Sequence, residues 1–336
     1  MKKLTYSLLP LGITVGLCLN IAPASAGLIP QNVIPDAALS IDGFGSTTNS
    51  GVIQANIPTG STIQRAYLYA TSVWDMSPVY GVTFNGSTLS LGSATILGPN
   101  QNPATTARWD VTSIIASSFT GGLQDFSIVE NGDNDGAVLV VAYSNSSTQG
   151  FTSVILDGEL STTGGTSQFD FVSPYTGGDF LVSLASSYSR QPSWQFTQID
   201  VTTDSTSGRL LTTSAGGQDD GETPPGGLIT VGGIGDDPAN PGPFDSPSDP
   251  SAPRIDDEYY NLALGNIENA APFISPGDTF LRLTTQNPTN DDNVFGLFIT
   301  SGFKITATPV PEPSMTLGIF GIGAIGILLS RRGKKS

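Results

Sequence analysis

Val82-Thr83-Phe84-Asn85-Gly86-Ser87-Thr88-Leu89 sets Asn-Gly between two short alternating runs, the strongest local signature of a two-residue β-hairpin. Upstream, residues 63–74 are aromatic and β-branched and follow the turn cluster Asn56-Ile57-Pro58-Thr59-Gly60-Ser61, which suits a buried strand. Downstream, residues 126–129, 137–143, 152–156, 179–187 and 194–201 repeat the pattern of short apolar runs between Gly, Asn, Asp and Ser turns. Residues 258–264, 279–285 and 294–304 continue it. Arg108-Trp109-Asp110-Val111-Thr112 leads into 113–118, one expected helical turn. No stretch of the body keeps a 3.6-residue period, which argues against a helical bundle or a βαβ fold. The expectation is an all-β, antiparallel β-sandwich or jelly roll.

Residues 215–253 break the rhythm. They are rich in Gly, Pro and acids, contain no Lys or Arg, and offer only 228–231 as a brief strand. They read as a long acidic Gly/Pro-rich loop or linker. Three strands beyond it would make a thin core alone, so the reading favours one β body, 27–308, carrying an excursion.

The two ends read as addresses. Lys2 and Lys3, an apolar run and the small residues Ala24-Ser25-Ala26 before Gly27 form a secretory signal peptide over 1–26, with cleavage expected between Ala26 and Gly27. The single cysteine, Cys18, lies inside that segment, so the mature chain should hold no disulfide and no thiolate site. At the other end Val310-Pro311-Glu312-Pro313 precedes an apolar stretch, 314–330, at the lower length limit for a membrane helix. Arg331, Arg332, Lys334 and Lys335 then form a basic stop that the positive-inside preference holds in the cytoplasm.

These three parts, over residues 309–336, resemble a PEP-CTERM sorting signal. That resemblance implies an exosortase-like processing enzyme as partner, a transient stay in the inner membrane, and delivery to the cell surface or extracellular matrix. The segments Ala66-Tyr67-Leu68-Tyr69, Trp109-Asp110-Val111-Thr112 and 136–143 also resemble a β-sandwich module of secreted bacterial surface proteins, although Ala70 stands where that module has Trp. This second resemblance bears on fold and location only.

Composition narrows the chemistry. The 336-residue chain has no histidine, so Ser-His-Asp and Cys-His catalysis, His-ligated zinc and imidazole proton shuttles are excluded. With both ends removed, 7 basic residues face 28 acidic ones, a formal charge of about −21. Such a body repels anions, and nucleic acid is not an expected partner.

Asn131-Gly132-Asp133-Asn134-Asp135-Gly136 spaces oxygen ligands as the opening half of a calcium loop does, which nominates Asn131, Asp133 and Asp135. The twelfth position is Ala142 rather than a bidentate Glu, and a polar hairpin turn explains the same residues. Asp291-Asp292-Asn293 and Asp256-Asp257-Glu258 are further acidic turns, each before an expected strand. Paired carboxylates could in principle hydrolyse glycosides, yet no acid and nucleophile signature stands out. Trp74, Tyr80, Trp109, Tyr175, Tyr188, Trp194, Tyr259 and Tyr260 could offer sugar platforms or fill a core. The expectation is a non-catalytic exported protein of surface or matrix, serving structure, adhesion or biofilm, with no required cofactor. A calcium-assisted carbohydrate-binding module and a carboxylate-based glycoside hydrolase are the alternatives.

Overall fold

A computed structural model describes residues 27–45, 48–72, 79–98, 105–160, 164–187, 197–212, 229–239, 258–265, 270–286 and 293–309. All of these belong to one compact unit, Ala26–Pro313. The signal peptide, the Val310–Pro313 motif, the membrane stretch and most of the acidic excursion lie outside the described residues.

Antiparallel strands dominate, and they build two sandwiches rather than the single one expected. The first has an outer sheet in the order β3 (Ser50–Ile57), β9 (Gly122–Glu130), β5 (Val82–Phe84), β6 (Ser87–Leu89). Its inner sheet runs β2 (Ala38–Phe44), β10 (Asn134–Ser144), β4 (Thr62–Ser72), β8 (Thr106–Asp110), β7 (Thr95–Ile96). The second sandwich has an inner sheet of β1 (Ile29–Pro35), β11 (Thr152–Asp157), β19 (Asn293–Ser301), β13 (Phe180–Ser187) and β16 (Thr230–Val231), with β17 (Tyr259–Asn261) also on β13. Its outer sheet runs β15 (Arg209–Thr212), β14 (Gln198–Thr203), β18 (Phe280–Gln286), β12 (Gly165–Phe171), β20 (Ile305–Pro309). The one described α-helix, α1 (Thr112–Ser118), is the short turn expected after Trp109.

The hairpin signal is realised: β5 and β6 pair across Asn85 and Gly86, whose φ values of 45° and 77° are the left-handed pair that a tight turn needs. The strands after the excursion neither complete the first sandwich nor stand alone. β18 lies between β12 and β14, and β19 between β11 and β13, so late and middle segments share both sheets of the second sandwich.

Strand alternation sorts side chains into three cores. From β4, Ala66, Leu68 and Ala70 enter the first sandwich, while Tyr67 and Tyr69 point the other way. β10 does the same, with Ala137, Leu139 and Val141 on one side and Val138 and Val140 on the other. The second sandwich is filled by Val154 and Leu156, Val182 and Leu184, Leu281 and Leu283, and Phe169. The third core is the seam between the inner sheets, where Tyr69 and Val140 meet Ile155, Phe295 and Phe298. The register of β13 on β19 shifts between Ala185 and Ser186, skipping Phe295, so Phe295 and Phe298 both face the seam. A Cβ on Gly296 would lie 2.5 Å from the Phe298 ring, so only glycine lets that ring fold over the strand.

The chain crosses the seam by two adjacent links. Asp36, at φ 53°, joins β1 of the second sandwich to β2 of the first, and its backbone N–H donates to Phe151 O at 2.9 Å. Its carboxylate accepts from the amide of Gly150 at 2.8 Å, in the return link from β10 to β11. The first sandwich is thus one continuous stretch of chain, β2 to β10, whereas the second joins β1 to the strands from β11 onward.

Candidate functional site

The expected calcium residues sit at the β9–β10 turn. Asn131 Oδ1 accepts from Thr83 Oγ1 at 3.3 Å, Asp133 is exposed, and Asp135 is 2% exposed within β10. The residue between the two aspartates does structural work: Asn134 Oδ1 accepts from Tyr80 N at 2.7 Å, and its Nδ2 donates to Tyr80 O at 3.1 Å. This pair of hydrogen bonds clamps the Tyr80 backbone onto the turn, with the Tyr80 ring lying directly over Gly132. Among the described residues no group of three or more acids, His or Cys comes together that could hold a metal ion. Asp256, Asp257, Asp291 and Asp292 lie outside the described residues; Glu258 is buried and accepts from Thr230 Oγ1 at 2.7 Å.

Two carboxyls are strongly perturbed. Burial pushes Asp42 up to about 7 against the lowering effect of amide donation from Gln54 and Gly43. Burial pushes Glu130 up to about 7 as well, and the charge of Asp133 adds to it. The role of Asp42 is legible in its surroundings. β2 and β3 are edge strands of facing sheets, and β2 covers the edge of β3 with side chains: Asp42 accepts from the Gln54 amide, and Ser40 Oγ from the Asn56 amide at 2.8 Å. Alternate amides of an otherwise open edge are thereby satisfied.

Beside this edge opens a cavity of about 290 Å³ lined by Leu39, Ser40, Ile41, Asn56, the turn 233–236 and Tyr259. Ile234 N donates to Ile41 O at 2.9 Å, which ties the turn to β2. Gly233 N donates to the Asp236 carboxylate, which closes the turn on itself. Tyr260 fills the second core, so alternation along β17 turns Tyr259 outward to the cavity. Of the other aromatics, Trp109, Tyr175 and Tyr260 are buried, with Trp109 Nε1 donating to Ser90 O at 2.9 Å and Tyr175 OH to Gly178 O at 2.9 Å. Tyr80 is 44% exposed, and Trp74, Tyr188 and Trp194 lie outside the described residues. The sequence puts Asp236 in an expected linker and Asn56 in an expected turn cluster, whereas Asn56 lies in β3; no motif marks either as a site residue, because only the fold brings them together.

The expected cleavage residues Ala24 and Ala26 lie outside the described residues, but Gly27 and Leu28 are buried, Leu28 within the second core. Among the described residues no helix is long and apolar enough to cross a membrane. At the far end, β20 runs to Pro309 on β12. Residues 309–332 match the PEP-CTERM protein-sorting motif, so the match starts on the last residue of the last strand. The chain thus carries the sorting signal of an exosortase substrate, which implies an exported precursor anchored in a membrane and then processed. No curated protein matches the chain. Among solved structures the chain is similar to the major capsid protein P2 from Bacteriophage PM2, at 11% identity, 81% of this chain and 98% of that chain covered, and a TM-score of 0.20.

Proposed function

We propose that this chain is a non-catalytic protein of the cell surface or extracellular matrix, released to that place when an exosortase-like enzyme processes its tail in the inner membrane. Its role there is structural or adhesive, in a biofilm or extracellular polysaccharide. The observation that carries this reading is the sorting match over 309–332 joined without a spacer to a β body. The absence of histidine from the sequence supports a non-catalytic role, as does the structural employment of the perturbed acid Asp42 on the β3 edge.

Mass spectrometry of the mature C-terminus, with cell fractionation, tests it. The expected product ends near Pro311-Glu312-Pro313 and is found outside the cytoplasm. A tail intact to Ser336, or a cytosolic protein retaining Met1, would overturn the reading. Glycosidase activity lost on replacing a carboxylate would also overturn it, in favour of a hydrolase.

A further inference from the structure

The seam cavity supports an inference that rests on the surface or matrix role proposed above and names a ligand class for it. Four segments remote in sequence meet there: residues 39–41 on β2, Asn56 on β3, the turn 233–236, and Tyr259 on β17. Each is held by something other than a ligand. The turn lies flat on β2, where a Cβ on Gly233 would come within 2.2 Å of Ile41 O. β17 pairs with β13 through Ser183 and Tyr259, and Tyr260 anchors it in the core. The walls are therefore set in advance, which lowers the ordering cost of binding.

The lining sets the chemistry. Asn56 is exposed, whereas Asp236 and Tyr259 are half-buried, so residues bearing a carboxamide, a carboxylate and a phenol border one small space beside Leu39 and Ile41, with one Asp236 oxygen engaged by the Gly233 amide. That combination suits a ligand dense in hydroxyls on its edges and apolar on one face. Among the described residues no Lys or Arg lines the cavity, and Asp236 and the acidic body oppose an anion. At about 290 Å³ the space is at the lower end for ligand sites, enough for a single ring rather than an extended chain. We infer that the cavity at Tyr259, Asn56 and Asp236 binds one sugar ring of a neutral polysaccharide.

The test uses the full chain in detergent, titrated calorimetrically with neutral gluco-, galacto- and N-acetylglucosamine trisaccharides, with trigalacturonate as the anionic control. At least one neutral trisaccharide is expected to bind with a millimolar Kd, and trigalacturonate is not. Tyr259→Ala should weaken binding about tenfold or more through loss of the ring face, with Tyr259→Phe retaining most of it. Asn56→Ala should weaken it several-fold. An unchanged Tm in each variant establishes that the fold is intact. No binding of any neutral trisaccharide at about 10 mM would overturn the inference, as would binding undiminished in the Tyr259→Ala/Asn56→Ala double variant. Such failure with a correctly processed tail sinks the ligand alone; a tail intact to Ser336 sinks the surface role whatever the titration shows.

Discussion

The hydroxyl of Tyr69 on β4 donates to the carboxylate of Asp157 on β11 at 2.8 Å, a buried hydrogen bond that runs from one sandwich to the other. The Tyr69 ring lies 5.7 Å, centroid to centroid, from both Phe295 and Phe298. Arg108 on β8 pairs with the same Asp157 oxygen and covers the Tyr67 ring at 4.8 Å. Close by, Glu159 accepts the backbone amide of Thr106 at 2.9 Å. The seam thus combines an aromatic wedge with two acids reaching from the second sandwich onto the edge of the first.

Removing a donor from Asp157 should cost more than an exposed pair would. Asp157 is 1% exposed, burial already raises its carboxyl, and its Oδ1 has no hydrogen-bond partner. Tyr69→Phe should lose about 1.5–3 kcal/mol and Arg108→Met about 3–5 kcal/mol, read by denaturant unfolding. Because both donors serve one oxygen, the double variant should depart from additivity, and additive losses would show that the groups are not coupled.

Stability should fall as pH rises from about 4 to about 7 through Asp42 and Glu130, whose folded values of about 7 stand above their ordinary 3.8 and 4.5. A raised folded pKa means that the native state holds the proton longer than the unfolded chain, so the contribution is full below about 4 and gone above about 7. Asp42→Asn and Glu130→Gln keep an acceptor without a titrating proton, so the double variant should show a flatter Tm against pH. Acidification also relieves the repulsion of a net −16 chain, so the wild-type minus variant difference is the quantity to read. Equal slopes in both proteins would refute the assignment.

Gly136→Ala should destabilise the first sandwich by about 1–3 kcal/mol or more. Its φ of 131° is unfavourable for any side chain, and the added Cβ would lie 2.3 Å from the carbonyl oxygen of Phe44. Gly60→Ala is the control: it has φ 83° but nothing within 4 Å of the new carbon, so it should show only the backbone cost. A Tm equal for the two variants would mean that the contact with β2 yields freely.

Calcium at about 1 mM should leave the Tm unchanged, because Asp135 is buried in β10 and Asn131 is tied to Thr83. A Tm rise abolished by Asp133→Ala would assign calcium to the turn.

Strand positions were legible in sequence where local chemistry decides them: Asn85-Gly86 forces its own turn, and residues 137–143 form a strand. The apolar run from Gly136 to Tyr143 even held the mark of a strand covered on both faces, since β10 is buried through Ala142 on both sides. Less regular segments were missed. β1, reading Ile-Pro-Gln-Asn-Val-Ile-Pro, has proline at its second and last positions, and β12, reading Gly-Thr-Ser-Gln-Phe-Asp-Phe, has few apolar residues. Both gain their strand character from partners more than 100 residues away.

The sequence by itself determined the address of this protein, because sorting motifs are read as linear chemistry, and it determined the β class, because turn residues and alternation act locally. The tertiary structure alone decided that there are two sandwiches, that Tyr69 meets Asp157 across their seam, and that Asn56, Asp236 and Tyr259 border one cavity. Those relationships depend on which distant strands share a sheet and which face each turns inward. No short window of sequence holds that information.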